Sequence, residues 1–360
     1  MRKITVPIGP QHPLLKEPLS MKLEISGERV LGGTLRLGYV HRGIEKLAQQ
    51  RTYVQNVHLI ERICGICSHV HTTTYCSAVE AILGIEIPPR AQYIRALMCE
   101  LERIHSHLLW LGILAKHVGL DTIFMHAWHD RELVLDIMES ISGGRVSHAA
   151  NEIGGVRFDL DEENETLIRT NISKLHDQVS GVLDVIENEP ALQARTRGVA
   201  PISTDLIRQY CMVGPIARAS GLDVDLRRDD PWPPYDRLDF NVITHPDGDA
   251  WARTIVRAEE TRESLHLCEA ILRDLPGGDV TVRAPRKVPA GEAVTRSEAP
   301  RGEVFYYLRS DGSDQPARLK IRTPTLPALS LLPEQLSAIN VADIPVVLAG
   351  IDLCIACADR

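Results

Sequence analysis

The sequence predicts a mainly α-helical protein with a small N-terminal β-sheet, an α+β fold. Three observations predict it. Residues 1–40 alternate apolar and polar positions, the period of a half-buried strand. From His41 onward, long stretches carry apolar residues at helical spacing. The chain has 360 residues, 44% of them hydrophobic, enough for a sizeable core in one large or two ordinary domains.

The elements follow in order. "MKLEISGERVLGGTLRLGY" reads as two strands about a Ser26-Gly27-Glu28 turn. "GIEKLAQQRTYVQNVHLIERI" turns helical, with Ile44, Leu47 and Ala48 in period, and runs straight into Cys64. "PPRAQYIRALMCELERIHSHLLWLGILAKHVG" opens on prolines, which a helix start tolerates, and is long enough for a core helix of a bundle. "TIFMHAWHDRELVLDIMESISGG" and "DEENETLIRTNISKLHDQVSGVLDVIEN" give two more helices with Gly or Asn stops. "LDVDLRRDDPWPPYDRLDFNVITHPDGD" has no helical period and reads as a long surface excursion or an insertion. "AWARTIVRAEETRESLHLCEAILRDLPGG" reads as another amphipathic helix, and "GEVFYYLRS" as a strand of a later hairpin. No internal repeat or low-complexity run interrupts the chain.

Composition narrows the function. A net charge of −8 and a pI of about 6.0 argue against a nucleic-acid binder, while leaving room for a local basic patch. "MRKITVPIGPQHP" lacks the apolar stretch of a secretory leader. No run reaches the roughly 18–20 apolar residues of a membrane span; the best, "HLLWLGILAKHVGL", carries Lys116 and His117. The chain is therefore expected not to cross a membrane itself.

Eight cysteines are present, and without a leader a disulfide framework is not expected. Cys76 and Cys99 read as small buried hydrophobes. Four others form two Cys-x-x-Cys pairs, Cys64/Cys67 and Cys354/Cys357, at opposite ends of the chain. Such a turn lets two thiolates face one metal, and four thiolates suit zinc, an iron–sulfur cluster or nickel. A structural zinc staple usually draws its pairs from nearby sequence. Two separate redox dithiols would want a βαβ context, which is absent. Spacing favours one buried four-thiolate site that joins head and tail, and leaves the other two readings open.

The flanking residues add a resemblance. "ERICGICSHVH" resembles the N-terminal metal motif of the large subunit of nickel–iron hydrogenases, and "DLCIACADR" resembles their C-terminal motif. "GPQHPLLKEP", "GYVHRGIEKL", "ELERIHSHLLWLG", "GGRVSHAANEIGGVRFD" and "EAPRGEVFYYL" are similar to the membrane-bound, energy-converting (Ech-like, group 4) type. That group is related to the quinone-site subunit of respiratory complex I. The similarity spans nearly the whole chain and is weakest near Pro231. It implies a large helical-bundle core of the hydrogenase large-subunit type in one integrated catalytic unit. Residues 1–40 would be the β region and 41–360 the helical catalytic domain, with loop or hairpin regions at about 222–248 and 280–325.

The resemblance also assigns roles. Cys64 and Cys354 would be terminal nickel ligands; Cys67 and Cys357 would bridge nickel to an iron carrying cyanide and carbon monoxide. Cys354 would accept the proton from H2 cleavage, and Glu17 would relay it; read bare, Glu17 is a surface glutamate at a strand entry. Arg301 would lie above the open metal position, against the alternative of a loop arginine in solvent. His71 would donate to a cysteine sulfur, against that of a satisfied core histidine. Glu45 matches a carboxylate that helps hold a second cation, Mg2+; Arg360 stands where that site often has His, so a Glu45–Arg360 salt bridge competes. Asp352 would anchor the tail. His41, Arg42, His105 and His107 stay open between packing, proton-path and subunit-contact roles. Leu353 departs from the family's usual proline, which relaxes the backbone before Cys354. Many members carry an extension removed after metal insertion, and this sequence stops where that cut would fall.

The expected function is then the catalytic subunit of a hydrogenase, an oxidoreductase acting on H2 and protons and linked to ferredoxin. No further cysteine cluster suits an Fe–S cluster here, so a small Fe–S subunit is implied, with other Fe–S and integral membrane subunits that pump ions. The chain would sit peripherally on the cytoplasmic face. The alternatives are a metal-free complex I-like structural or quinone-site subunit, or an H2-sensing relative. Direction of turnover, the pumped ion and the electron donor are not readable.

Overall fold

The structure is a computed structural model and describes residues 3–360. Strands β1 (Lys3–Ile8), β2 (Ser20–Ser26) and β3 (Arg29–Arg36) form an antiparallel sheet in that order. Met21, Leu23 and Ile25 of β2 are buried while Lys22 and Glu24 are exposed, the alternation that a one-sided sheet requires. The turn is two residues long, with Ser26 paired to Arg29 and Gly27 at φ 61°.

Helices α1 (Ile44–Ala48), α2 (Tyr53–Glu61), α3 (Ser68–Leu83), α4 (Pro89–His117) and α5 (Asp121–Ser142) follow. Thr52 and Gln55 form a reciprocal capping box at the start of α2. A minimal hairpin, β4 (Asn151–Glu152) with β5 (Gly155–Val156), precedes α6 (Glu162–Asn188), α7 (Pro190–Thr196), α8 (Thr204–Gln209), α9 (Pro215–Arg218) and α10 (Leu226–Asp229). Helix α11 (Ala250–Arg273) completes a bundle with α4, α5 and α6. Leu97, Leu101, Ile104 and Leu108 of α4 meet Val134, Ile172, Leu175 and Leu265 in its core. A second sheet, β6 (Gly291–Ala299), β7 (Gly302–Ser310) and β8 (Arg318–Arg322), packs on α3. Helices α12 (Thr325–Gln335), α13 (Ile344–Ile351) and α14 (Ile355–Asp359) end the chain. The α+β class expected from the sequence is the class found.

Two readings need correction. The stretch around 222–248 is not a mere surface excursion. It lacks long elements, but Leu226, Arg227 and Tyr235 are buried, and Arg227 pairs with Asp225 and with Glu100 of α4. Polar residues that looked like a solvated loop are instead the counter-charges of a buried network, completed by Arg218, Glu260 and Glu298. Helix α11 is likewise no simple amphipathic helix. Arg253, Arg257 and Glu260 are buried because α4, α6 and α13 enclose it.

The fold joins the chain ends through α13. Its sequence, IPVVLAGI, is almost wholly apolar and buried against α4 and α11. The Trp110 indole of α4 donates to the Ala349 carbonyl, and Gly350 leaves room for the Arg253 guanidinium, whose Nε would lie 3.1 Å from an added Cβ. Asp352 then takes a left-handed conformation, φ 55°, and turns the chain into Cys354.

Candidate metal centre

Cys64 and Cys67 lie in the connection between α2 and α3, and Cys354 and Cys357 lie at the start of and within α14. All four are buried. The Sγ atoms of Cys64 and Cys354 are 3.4 Å apart, and those of Cys67 and Cys357 are 3.5 Å apart. Two sulfurs on a tetrahedral metal with ~2.3 Å bonds would be about 3.8 Å apart. Cys64, Cys354 and Cys357 form one close group, and Cys67, His71 and Cys357 a second that shares Cys357. The four sulfurs thus converge as one set, and the reading of two separate dithiols is overturned.

The electrostatics of that set call for a cation. Cys64 is held well below the usual thiol value by hydrogen bonds from Cys354, then Cys357 and Cys67. Cys357 is pushed well above it by its contacts with Cys354, Cys64 and Cys67. Only one thiolate is comfortable in so small a volume; four need a metal to neutralise them. The donor chemistry therefore fits a soft or borderline metal.

The chain itself fixes both thiol loops. The Arg42 guanidinium donates to the carbonyls of Arg62 and Ile63 on one side, at 2.6 and 2.9 Å, and to Ala356 on the other, at 3.2 Å. Asp359 accepts from the backbone N–H groups of Gly38 and Val40, and His41 contacts the Asp359 carbonyl. His41 and Arg42 are thus stitches between head and tail. Thr325 Oγ1 accepts from Cys354 N, and Thr323 Oγ1 donates to the Cys357 carbonyl.

Around the sulfurs lie the other expected residues. Glu17 is half-buried; its Oε2 accepts from Ile355 N and from Ala356 N. Burial, and then the negative charge at Cys64, raise its pKa. It lines a small cavity with Lys16 and His117, walled by Leu14, Leu353 and Ile355. Leu353, the departure from the family pattern, thus forms apolar wall beside Glu17. Arg301 is buried rather than in solvent. It donates from Nε to the Asp352 carbonyl at 2.9 Å and from Nη2 to Asp352 Oδ1 at 3.0 Å. Gly302 permits this loop, because an added Cβ would sit 2.9 Å from the Gly214 backbone. Burial opposes the low pKa of Asp352, but Arg301, Lys16 and Arg257 outweigh it and hold the carboxyl well below its usual range.

His71 Nδ1 is 2.7 Å from the Tyr306 hydroxyl, and Nε2 is 3.5 Å from Cys357 Sγ. Burial lowers its pKa to about 4, so the ring is neutral. With the Tyr306 hydroxyl donating to Nδ1, Nε2–H donates to the sulfur. Glu45 meets two cations of its own chain. Arg360 Nε lies 3.1 Å from Oε1, and Lys320 Nζ lies 2.8 Å from Oε2. Ile321 N also donates to Oε1. Of the two expectations for Glu45, the salt bridge to Arg360 is the contact these residues make. His107 bonds Glu260 at 3.0 Å inside the buried network, and His105 contacts Arg131 at 3.1 Å.

Sequence reasoning missed Glu102. From α4 it accepts the N–H groups of His69 and Val70, at 2.6 and 3.1 Å, capping the helix that begins after Cys67. Burial pushes its pKa up to about 8. No local signal announces a cap supplied from 33 residues away. Tyr306 and Asn151 were missed for the same reason.

Known proteins are similar to this chain along its whole length. The family model described as the 49 Kd subunit of respiratory-chain NADH dehydrogenase matches residues 117–288 and 281–360. The nickel-dependent hydrogenase model matches residues 42–132, the region of the first thiol pair. The chain is 40% identical to a carbon monoxide-induced hydrogenase of Rhodospirillum rubrum, with 100% of both chains covered. It is 39% identical to the alpha subunit of the membrane-bound hydrogenase of Pyrococcus furiosus, over 99% of this chain and 87% of that one. It is 36% identical to one of the subunits of the F(420)H(2) dehydrogenase of Methanosarcina mazei, over 99% and 98%. A chain of the membrane-bound sulfane sulfur reductase, an archaeal respiratory membrane complex, superposes with a TM-score of 0.96 at 32% identity, over 99% and 98%.

Proposed function

This chain belongs to the family that unites nickel-dependent hydrogenases with the 49 kDa subunit of respiratory-chain NADH dehydrogenase, and from that premise we propose that it is the catalytic subunit of a nickel–iron hydrogenase in a membrane-attached, energy-converting complex. One observation carries the reading: four buried sulfurs from the two ends of the chain meet as one ligand set. A metal-free subunit has no use for such a quartet of buried, converging thiols.

Cys64 and Cys354 would hold nickel, and Cys67 and Cys357 would be shared with iron. When bound, the nickel–iron centre, with cyanide and carbon monoxide on its iron, supplies heterolytic cleavage and formation of H2. The chain supplies the rest. Cys354 takes or returns the proton at its sulfur. Glu17, pinned by Ile355 and Ala356 beside that thiol and with its pKa raised by burial, is placed to take the proton from that sulfur and hand it to solvent water through the small cavity it lines. Arg301, fixed by Asp352, holds a positive charge beside the sulfurs. His71 steadies Cys357 with a hydrogen bond that bulk water cannot reach.

Among the described residues, no helix is long and apolar enough to cross a membrane. Electrons would leave through a small Fe–S subunit to ferredoxin, and attachment to the cytoplasmic face would come through integral membrane partners. The substrates would be H2 and protons. A second reading is a metal-free complex I-like subunit, favoured by the longer match to the 49 kDa model.

Nickel and iron analysis of the anaerobically purified complex tests the choice. Near one nickel and one iron per chain, with infrared bands of metal-bound cyanide and carbonyl, is expected. Zinc or no metal in the wild-type complex would overturn it.

A further inference from the structure

A cavity of about 610 Å³ opens between α2, the β4–β5 hairpin and residues 281–286, and no role above uses it. Its floor is apolar: Tyr53, Val54 and Val57 of α2, with Ile153 and Val282. Val54 is 58% exposed there. Its rim is basic. Arg157, Arg283 and Arg286 line it, all exposed, and among the described residues none pairs with a carboxylate. The only acid in the lining, Glu152, is occupied by the Thr281 hydroxyl at 2.6 Å. On a chain of net charge −8, three unpaired guanidiniums around one cavity are a local reversal of sign.

The backbone adds a second observation. Val156 N donates to Val280 O and Val282 N donates to Gly154 O, so Thr281 forms one bridge to Gly155 of β5. From 283 to 286 the chain continues along the cavity; Pro285 has no N–H to give, and among the described residues the other N–H groups and the C=O groups of this stretch make no hydrogen bond. Backbone groups left free in this way can be met by an extended segment laid beside them.

We infer that this cavity receives an extended, acidic segment of a partner subunit. The segment lies along residues 283–286, sets carboxylates on Arg157, Arg283 and Arg286, and drops an apolar side chain onto Val54 and Val57. A small inorganic anion would use the guanidiniums but leave the apolar floor and the free backbone groups unsatisfied. The wall of the cavity is tied to the helices on either side of the first thiol pair. Asn151, another lining residue, donates to the hydroxyls of Thr72 and Thr73 in α3 at 2.8 and 2.9 Å, and α2 leads into Cys64. The inference rests on the multisubunit reading above.

The test is a photo-crosslinking residue at Val54 in the intact complex, with the crosslinked peptide identified by mass spectrometry. A single partner-subunit segment bearing at least two acidic residues is expected. In R283E/R286E the crosslink is lost and retention of that partner through purification falls by about tenfold, the size of a lost interfacial charge pair. Partner subunits that co-purify without crosslinking at Val54, or unchanged retention in R283E/R286E, would overturn it. So would suppression of the crosslink by millimolar inorganic phosphate in wild type, the mark of a small-anion site. If no partner co-purifies with the wild-type chain, the multisubunit reading has failed instead, an outcome that also removes this one.

Discussion

Two ion pairs bracket the tail segment that carries Cys354 and Cys357, and they are built differently. Before the cysteines, Asp352 pairs with Arg301, with side-chain exposures of 0% and 5%. After them, Arg360 pairs with Glu45, at 13% and 19%, and Lys320 joins from solvent. Geometry is similar, with contacts of 3.0 and 3.1 Å. The difference is water. A buried partner left alone keeps a charge that nothing solvates, whereas a half-exposed one turns to solvent. The first pair therefore specifies where the tail lies, and the second trims it.

Breaking what both pairs serve should have the largest effect. Cys354→Ala is expected to abolish H2 uptake and nickel retention while the chain stays folded, measured by metal analysis and circular dichroism of the same sample. Retained uptake would remove Cys354 from its role.

The next effect sharpens the contrast itself. Asp352→Asn keeps a residue that tolerates the left-handed backbone but strands Arg301. It should destabilise the chain by about 3–5 kcal/mol in denaturant unfolding. Arg360→Ala should cost no more than about 1 kcal/mol, and that loss should fade in 1 M salt while the Asp352 effect persists. Equal costs at both positions would dissolve the comparison.

Acid should act on both pairs in the same direction. Each carboxylate is held below its usual value, for Asp352 by Arg301 and Lys16 against burial, and for Glu45 by Lys320, Ile321 and Arg360 against burial. A group depressed on folding binds fewer protons in the folded state, so stability rises with pH. The contribution is complete above the unfolded values, about 3.9 for Asp and 4.3 for Glu, and is lost as pH falls through the folded ones. The loss from Asp352 should be the larger and complete only at lower pH, read as denaturation midpoints of wild type and the two variants.

Between the two pair variants falls Tyr306→Phe, which removes the hydroxyl bonded to His71, read in the same denaturant unfolding. About 1–2 kcal/mol is expected, with nickel still bound.

How much was legible follows from how far each residue's partner lies along the chain. The strand alternation of β2 and the periods of α4 and α6 are local, and they were read correctly. The thiol pairs were legible because each motif is short, and Glu45–Arg360 because a guanidinium cannot ligate a cation and so meets a carboxylate as a salt bridge. Helix α13 went unread: eight almost uniformly apolar residues carry no period. Residues 222–248 were misread because Asp225 and Arg227 look solvated until α4 presents Glu100 to them. Glu102 hid in the interior of a long helix, where nothing marks it as the cap of another.

The stitch between Asp359 and the backbone of Gly38 and Val40 has a consequence in time. Cys64 and Cys354 are 290 positions apart, so at 5–20 residues per second a ribosome releases the first pair about 15–60 s before the second. For that interval the nascent chain offers a two-sulfur cradle with an open side. Whatever enters it must do so before the last turn docks, or wait for the lock at Asp359 to loosen.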